Sequence, residues 1–293
     1  MEPKRNFVML FRGREGSSPI ITQLGTHPEI NVPIFEHLDK KNARKRCPDA
    51  RAHLLLDGLL GSGDLAAADA FAQENADLPP RSDDRAIGFK WRAWGSPERI
   101  ATTLQQHQAI IFHLFRRDFL ESTASIYFSR FVVPEIPELK AIRLSDGLHT
   151  QFNFRRLRPE RQHEVQEIMR AWRFTLPADF TLSRMTKNLA EKKKMARTYV
   201  DPVAAAGLTV RHVFYEDYLA DPPGLIAAMC RTIGCDPELS ADTRPRYAKV
   251  NKGNLLEQVE NLDELRQHPG IAERLADFET LCQGYPDVMS AAV

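Results

Sequence analysis

Four absences bound what this chain can be. Cysteine is scarce: the 293 residues hold four, Cys47, Cys230, Cys235 and Cys282, with no CxxC pair and no zinc-site pattern among them. A disulfide scaffold is excluded on that count, and the thiols read as reduced, in a cytoplasmic chain. A surplus of one charge sign is also missing. Forty Lys and Arg face 39 Asp and Glu, a formal net charge of +1, so no whole-protein field draws in nucleic acid and any anion must be bound by local clusters. Long hydrophobic runs are missing too, since nothing approaches the ~20 apolar residues of a bilayer-spanning helix. The early run Phe7–Phe11 is too short for the core of a secretory leader, and no cleavage-like site follows it. Internal repeats and long disordered tracts are likewise lacking. No nucleic-acid partner and no transmembrane segment are expected, and homo-oligomerisation is left open.

What is present is ordinary for a globular domain, with 43% hydrophobic and 27% charged residues. Strands are expected at Phe7–Phe11, Asn31–Phe35, Ala86–Phe89, Ala109–Leu114 and Thr209–Phe214. Helical patterns lie at Pro19–Thr26, at Pro97–Gln108 after Ser96, and at Asp118–Arg130. This alternation predicts an α/β fold, a parallel sheet with helices on both faces. Leu65–Gln73 is a short helix candidate inside the Gly-, Ala- and Asp-rich stretch Gly58–Asp84. Pro134–Thr150 reads as irregular. Pro159–Phe174 and Ser183–Tyr199 read as helices, and the Lys192-Lys193-Lys194 run in the second reads as a solvated face.

The stretch Phe7–Ile20, FVMLFRGREGSSPI, carries the most chemistry. A buried strand feeds a Gly-containing loop, and a helix then starts, with Ser18 suited to the N-cap and Pro19 to the first helical position. Such a turn aims backbone N–H groups and the positive end of a helix dipole at one point, an anion cradle. The nucleoside-triphosphate version, GxxxxGK[ST], needs a Lys after the second Gly. Here Ser17-Ser18-Pro19 follow Gly16, and Arg14 lies inside the loop. A second strand, AIIFHL at Ala109–Leu114, ends in Phe115-Arg116-Arg117-Asp118. Asp118 is placed to cap the next helix, with Glu121 as its capping-box partner. Ser125 follows Arg117 by eight residues.

Arg14-Glu15-Gly16-Ser17-Ser18 resembles the 5′-phosphosulfate loop of PAPS-dependent sulfotransferases of the bacterial, carbohydrate- or glycolipid-modifying branch. Glu15 departs from the small hydroxyl residue usual there, so it must point away or pair with a cation. Arg117 and Ser125 match that family's Arg–Ser pair for the 3′-phosphate, and a planar guanidinium suits phosphate oxygens. Arg85–Arg92 resembles the family's internal strand with Lys90 near its end. Val213–Leu219 resembles its late strand running into a Tyr-Glu-Asp turn, followed by a helix from Asp221-Pro222-Pro223 to near Gly234. Lys249 and Lys252 sit where the family often places a basic loop closing over the cofactor.

The resemblance implies a P-loop-NTPase-like parallel β-sheet in a single domain over 1–293, with variable insertions near 58–84 and 131–194. It also implies sulfuryl transfer from PAPS to a hydroxyl or amine of a small-molecule, carbohydrate or glycolipid acceptor. The product would be 3′,5′-ADP, and no metal would be required. Arg14, Glu15, Gly16, Ser17, Ser18 and Pro19 form the expected donor loop. Glu36 is the first candidate for the base and His37 the second, while Glu36 could instead pair with Arg14 or Lys90. Lys90 could stabilise the bridging oxygen or bind the acceptor. Trp91, Trp94 and Trp172 could stack on a base or sugar, with core packing the default for each. His27 is expected to close the end of the first helix. Two alternatives stay open, a small-molecule kinase on the same scaffold and a nucleotide-binding protein without turnover.

Overall fold

The computed structural model describes residues 5–11, 15–32, 52–61, 85–92, 95–145, 159–244 and 254–290. These residues form two compact units. One comprises Met1–Arg117, Glu191–Arg246 and Leu281–Val293, the other Asp118–Ala190 and Tyr247–Thr280.

The first unit is built on a five-stranded sheet of β1 (Arg5–Leu10), β2 (Ile30–Asn31), β3 (Ala86–Trp91), β4 (Ile110–Phe115) and β5 (Val210–Phe214). Its strand order is β2-β3-β1-β4-β5 and every pairing is parallel. It is a parallel α/β sheet flanked by helices. The parallel arrangement explains why β1, β3 and β4 read as unbroken apolar runs, because a sheet covered on both sides buries both sets of side chains. Val8, Leu10, Phe89, Trp91, Ile111 and Val210 share one face. They pack with Leu56 and Leu60 of α2 (Ala52–Gly61), with Ile100 and Leu104 of α3 (Pro97–Gln106), and with Met195, Val200 and Val203. Phe7 and Met9 point the other way, as the two-residue period of a strand requires. Phe7 meets Phe112 edge-on, with 5.9 Å between ring centroids. Gly88 sits opposite, where a Cβ would come within 2.3 Å of the Phe7 ring.

Four of the five expected strands are present; of Asn31–Phe35 only Asn31 falls in a strand, Val32 does not, and 33–35 lie outside the described residues. Several helix boundaries differ from expectation. The first helix, α1, spans Ser17–Leu24 with Gly16 rather than Ser18 at its N-cap. Pro19 therefore falls in the first turn but not at its first position, which is tolerated because its missing N–H would have had no intrahelical partner. The supposed Tyr-Glu-Asp turn is a helix, Tyr215–Ala220, starting directly after β5. The next helix, Pro222–Ile233, begins at Asp221 and ends at left-handed Gly234 as the sequence suggests. The expected Leu65–Gln73 helix lies outside the described residues.

In the second unit, helix α4 (Phe119–Tyr127) is capped by Asp118, whose side chain accepts from the Glu121 amide. The Glu121 carboxylate accepts from the Leu255 amide at 3.2 Å. Pro134–Thr150 is not wholly irregular, because Pro137–Ser145 is helical. Its proline sits at the first helical position, where it is favoured. Pro159–Ala171 forms the expected helix, and Ala178–Met195, whose residues from Glu191 on belong to the first unit, forms a longer one than Ser183–Tyr199 implied. Phe119 and Phe278 stack at 4.4 Å, and Phe174 bridges in parallel to Val259. No helix among the described residues is long and apolar enough to cross a membrane.

Candidate anion-binding site

Because the strands of the first unit are all parallel, their C-terminal ends share one rim, the place where open α/β sheets bind ligands. Four chain segments meet there. Glu15 and Gly16 lead from β1 into α1. Lys90 lies at the end of β3, in register with Met9 of β1. Arg116 and Arg117 follow β4, and Tyr215 follows β5.

Gly16 adopts φ 79° and ψ 18°, the left-handed conformation that glycine reaches without steric penalty. It also lies against the face of the Tyr215 ring, leaving no space for a side chain. As a glycine it supplies no capping side chain to α1, so the first-turn amides of that helix face the loop. The Ser17 and Ser18 hydroxyls stand at the same helix start. Lys90 is buried and its Nζ donates to Ser18 Oγ at 2.9 Å and to Ser17 Oγ at 3.4 Å. The same ammonium sits 5.1 Å from the Phe11 ring centroid. The ammonium missing from the loop sequence is thus delivered from the adjacent strand.

Glu15 is buried and pairs with Lys192, also buried. Of the two fates open to Glu15, pairing with a cation is the one observed. The partner corrects the expectation that the Lys192–Lys194 run is a solvated face for Lys192, whereas Lys194 is exposed as expected. Lys192 continues a buried stripe of Thr181, Met185, Leu189 and Met195, at the three- and four-residue spacing of one helix side. That spacing was readable, and the lysines beside it masked it. Lys192 also lies over the Phe115 ring at 4.9 Å.

Arg116 is buried, with its guanidinium 5.4 Å over the Tyr215 ring and 4.0 Å from Glu216. Arg117 is half exposed and pairs with Asp217 and, at 2.9 Å, with Asp287. Its amide donates to Glu216 Oε2 at 2.8 Å, and its guanidinium lies 4.0 Å from the Phe214 ring centroid. Asp287 is brought there by the C-terminal segment, which runs alongside β5. The His212 amide donates to Pro286 O at 2.8 Å and the Val288 amide to His212 O at 2.9 Å. Burial pushes the Asp287 carboxyl above its usual range and the Asp217 charge adds to this, while the Met289 amide and Arg117 oppose it. Sequence reading did not find Asp287 and placed Tyr215 only in a turn, because nothing local marks a residue that acts on a distant segment of the chain.

Ser125 is half-buried on α4, in the second unit. His27 is fully buried, and its Nε2 lies 3.0 Å from Asp236 O, so it joins the end of α1 to a distant turn as well as closing it. Trp91 is a core residue, edge-on to Tyr199 at 6.1 Å. Trp172 is half-buried beside the second unit's Phe174 segment. Arg14, Glu36, His37, Trp94, Lys249 and Lys252 lie outside the described residues. Among the described residues no cluster of His, Cys, Asp or Glu is placed to hold a metal ion.

No family model matches this chain, and no curated protein matches it. Among solved structures, the crystal structure of a sulfotransferase from Alicyclobacillus acidocaldarius aligns with it at 18% identity over 99% of each chain, with a TM-score of 0.46.

Proposed function

We propose that this protein is a PAPS-dependent sulfotransferase acting on a hydroxyl or amine of a small-molecule, carbohydrate or glycolipid acceptor. The observation that carries the proposal is the donor set at the start of α1. First-turn amides, two serine hydroxyls and the buried Lys90 ammonium all gather there, after a left-handed glycine. Every one of these groups donates hydrogen bonds, which suits a multiply charged oxyanion. The Arg14-to-Ser18 sequence pattern narrows the anion to a phosphosulfate, and the missing loop lysine speaks against ATP or GTP.

PAPS, when bound, supplies the sulfuryl group and a phosphate leaving oxygen. The chain's own residues then have three tasks. The α1 amides and Ser17 and Ser18 hold the donor's charged end in place. Lys90 and Arg14 neutralise charge that grows on the leaving oxygen, a preorganised electrostatic effect that is often the largest part of catalysis. Glu36, or His37 in its place, takes the acceptor's proton. Arg117 with Ser125 is assigned to the 3′-phosphate, and Lys249 and Lys252 to closing over it. Acceptor choice is assigned to the variable segments near 58–84 and 131–194.

Thermal stabilisation tests the donor class. A ligand at about 100 times its dissociation constant adds about 2.7 kcal/mol to stability. Metal-free 3′,5′-ADP should raise the melting temperature and Mg-ATP should not. The reverse result points to the kinase alternative. Stabilisation by 3′,5′-ADP without sulfate transfer to any acceptor of a broad panel points to the inactive nucleotide-binding protein.

A further inference from the structure

Glu15 is the anomaly of the site, a carboxylate in a loop otherwise built from hydrogen-bond donors. It is separated from α1 only by Gly16 and is 2% exposed, so water does little to screen its charge. Left alone, it would repel any anion brought to the amides and hydroxyls of Ser17 and Ser18. Lys192 reaches it from a helix about 175 residues further along the chain. Lys192 is also buried, and its ammonium lies 4.9 Å over the Phe115 ring centroid, at the end of β4.

We infer that Lys192 is a positioning residue of the anion site. It cancels the Glu15 charge from behind the loop, so that an oxyanion can be held in front of it. Lys192 makes no contact with the anion, and its effect passes through Glu15. The inference rests on the reading of this loop as a donor-binding site, but concerns its charge balance and so holds for inorganic oxyanions as well. A carboxylate charge no longer offset by Lys192, at about 6 Å from a bound anion and an effective dielectric of about 20, weakens binding up to about 100-fold. Removing the carboxylate and leaving the ammonium acts in the opposite direction.

The test is a mutant cycle read by calorimetric titration with inorganic sulfate and with 3′,5′-ADP, on the full chain. Lys192→Met should weaken both ligands by up to about 100-fold. Glu15→Gln should bind both at least as tightly as the wild type. The double variant should return to within about fivefold of the wild type, because it removes the carboxylate and the ammonium that offsets it together. Both single variants should melt earlier than the wild type, so a merely structural pair would lower anion affinity in both. Equal losses in the two single variants therefore overturn the inference. A double variant as weak as Lys192→Met also overturns it, since Lys192 would then touch the anion itself. If Lys192→Met does not fold, Glu15→Gln and the double variant still decide. A wild type that binds sulfate but not 3′,5′-ADP removes the PAPS reading and leaves this cycle to be judged on sulfate. A wild type that binds neither overturns both.

Discussion

Replacing Gly16 by alanine probes the backbone on which the anion site rests. At φ 79° an L side chain costs about 1–2 kcal/mol. The added Cβ would also lie 2.1 Å from Tyr215 Cδ2, 2.3 Å from Cε2 and 2.6 Å from Cγ, where carbon atoms normally keep about 3.5 Å or more apart. The ring has little freedom to yield. Tyr215 is buried, the Arg116 guanidinium lies on it at 5.4 Å, and the Tyr218 ring stacks at 6.2 Å. Forcing a methyl into such a packed place costs about 1–3 kcal/mol more. The total is about 2–5 kcal/mol, and at about 2 °C per kcal/mol for a chain of this size the melting temperature should fall by about 4–10 °C. Differential scanning fluorimetry with and without sulfate reads both the loss and the expected weakening of anion binding. Adding Gly16→Ala to a Tyr215→Ala background should cost only the backbone part, about 1–2 kcal/mol. A melting temperature unchanged within 1 °C, or an undiminished cost in the Tyr215→Ala background, would refute this account of the loop.

Three further outcomes are expected. His113 is buried beside the His212 ring, 5.5 Å away, and burial first, then the His212 charge, lowers its pKa to about 3. The unfolded chain therefore takes up its proton more readily, so the stability from His113 is complete above about pH 6.5 and is lost as pH falls toward about 3. Urea titrations should show the wild type losing about 2 kcal/mol more than His113→Phe between pH 7 and pH 5, and parallel curves would count against it. Arg117→Ala should weaken 3′,5′-ADP at least about tenfold while barely moving the melting temperature, because half-exposed ion pairs contribute little to stability; unchanged affinity would remove Arg117 from the donor site. Glu36→Gln should retain 3′,5′-ADP binding by calorimetry and lose turnover, and near-normal turnover would exclude Glu36 as the base.

Much of the scaffold was readable because its signals are local. The apolar runs at Phe7–Phe11 and Ala109–Leu114, Ser96 before Pro97, Asp118 three residues before Glu121, and Asp221 before two prolines each mark an element within a few positions. The Gly16 loop was equally legible, since glycine, hydroxyls and a following apolar helix occur side by side. Reading failed where a helix competed with its composition. Pro137–Ser145 was hidden by two prolines in a short span, and Lys192 by the two lysines that follow it.

The order of the strands and the position of the Gly16 turn were legible in the amino-acid sequence alone, because strand and helix periods and capping residues act over a few bonds. The identity of the groups around that loop was settled only by tertiary structure. Lys90 meets Ser18 across 72 positions of chain. Lys192 reaches Glu15, Tyr215 closes over Gly16, and Asp287 pairs with Arg117 across still greater separations. A parallel sheet makes neighbours of strand ends that the chain keeps far apart, and a buried charge must find its partner wherever the fold brings one.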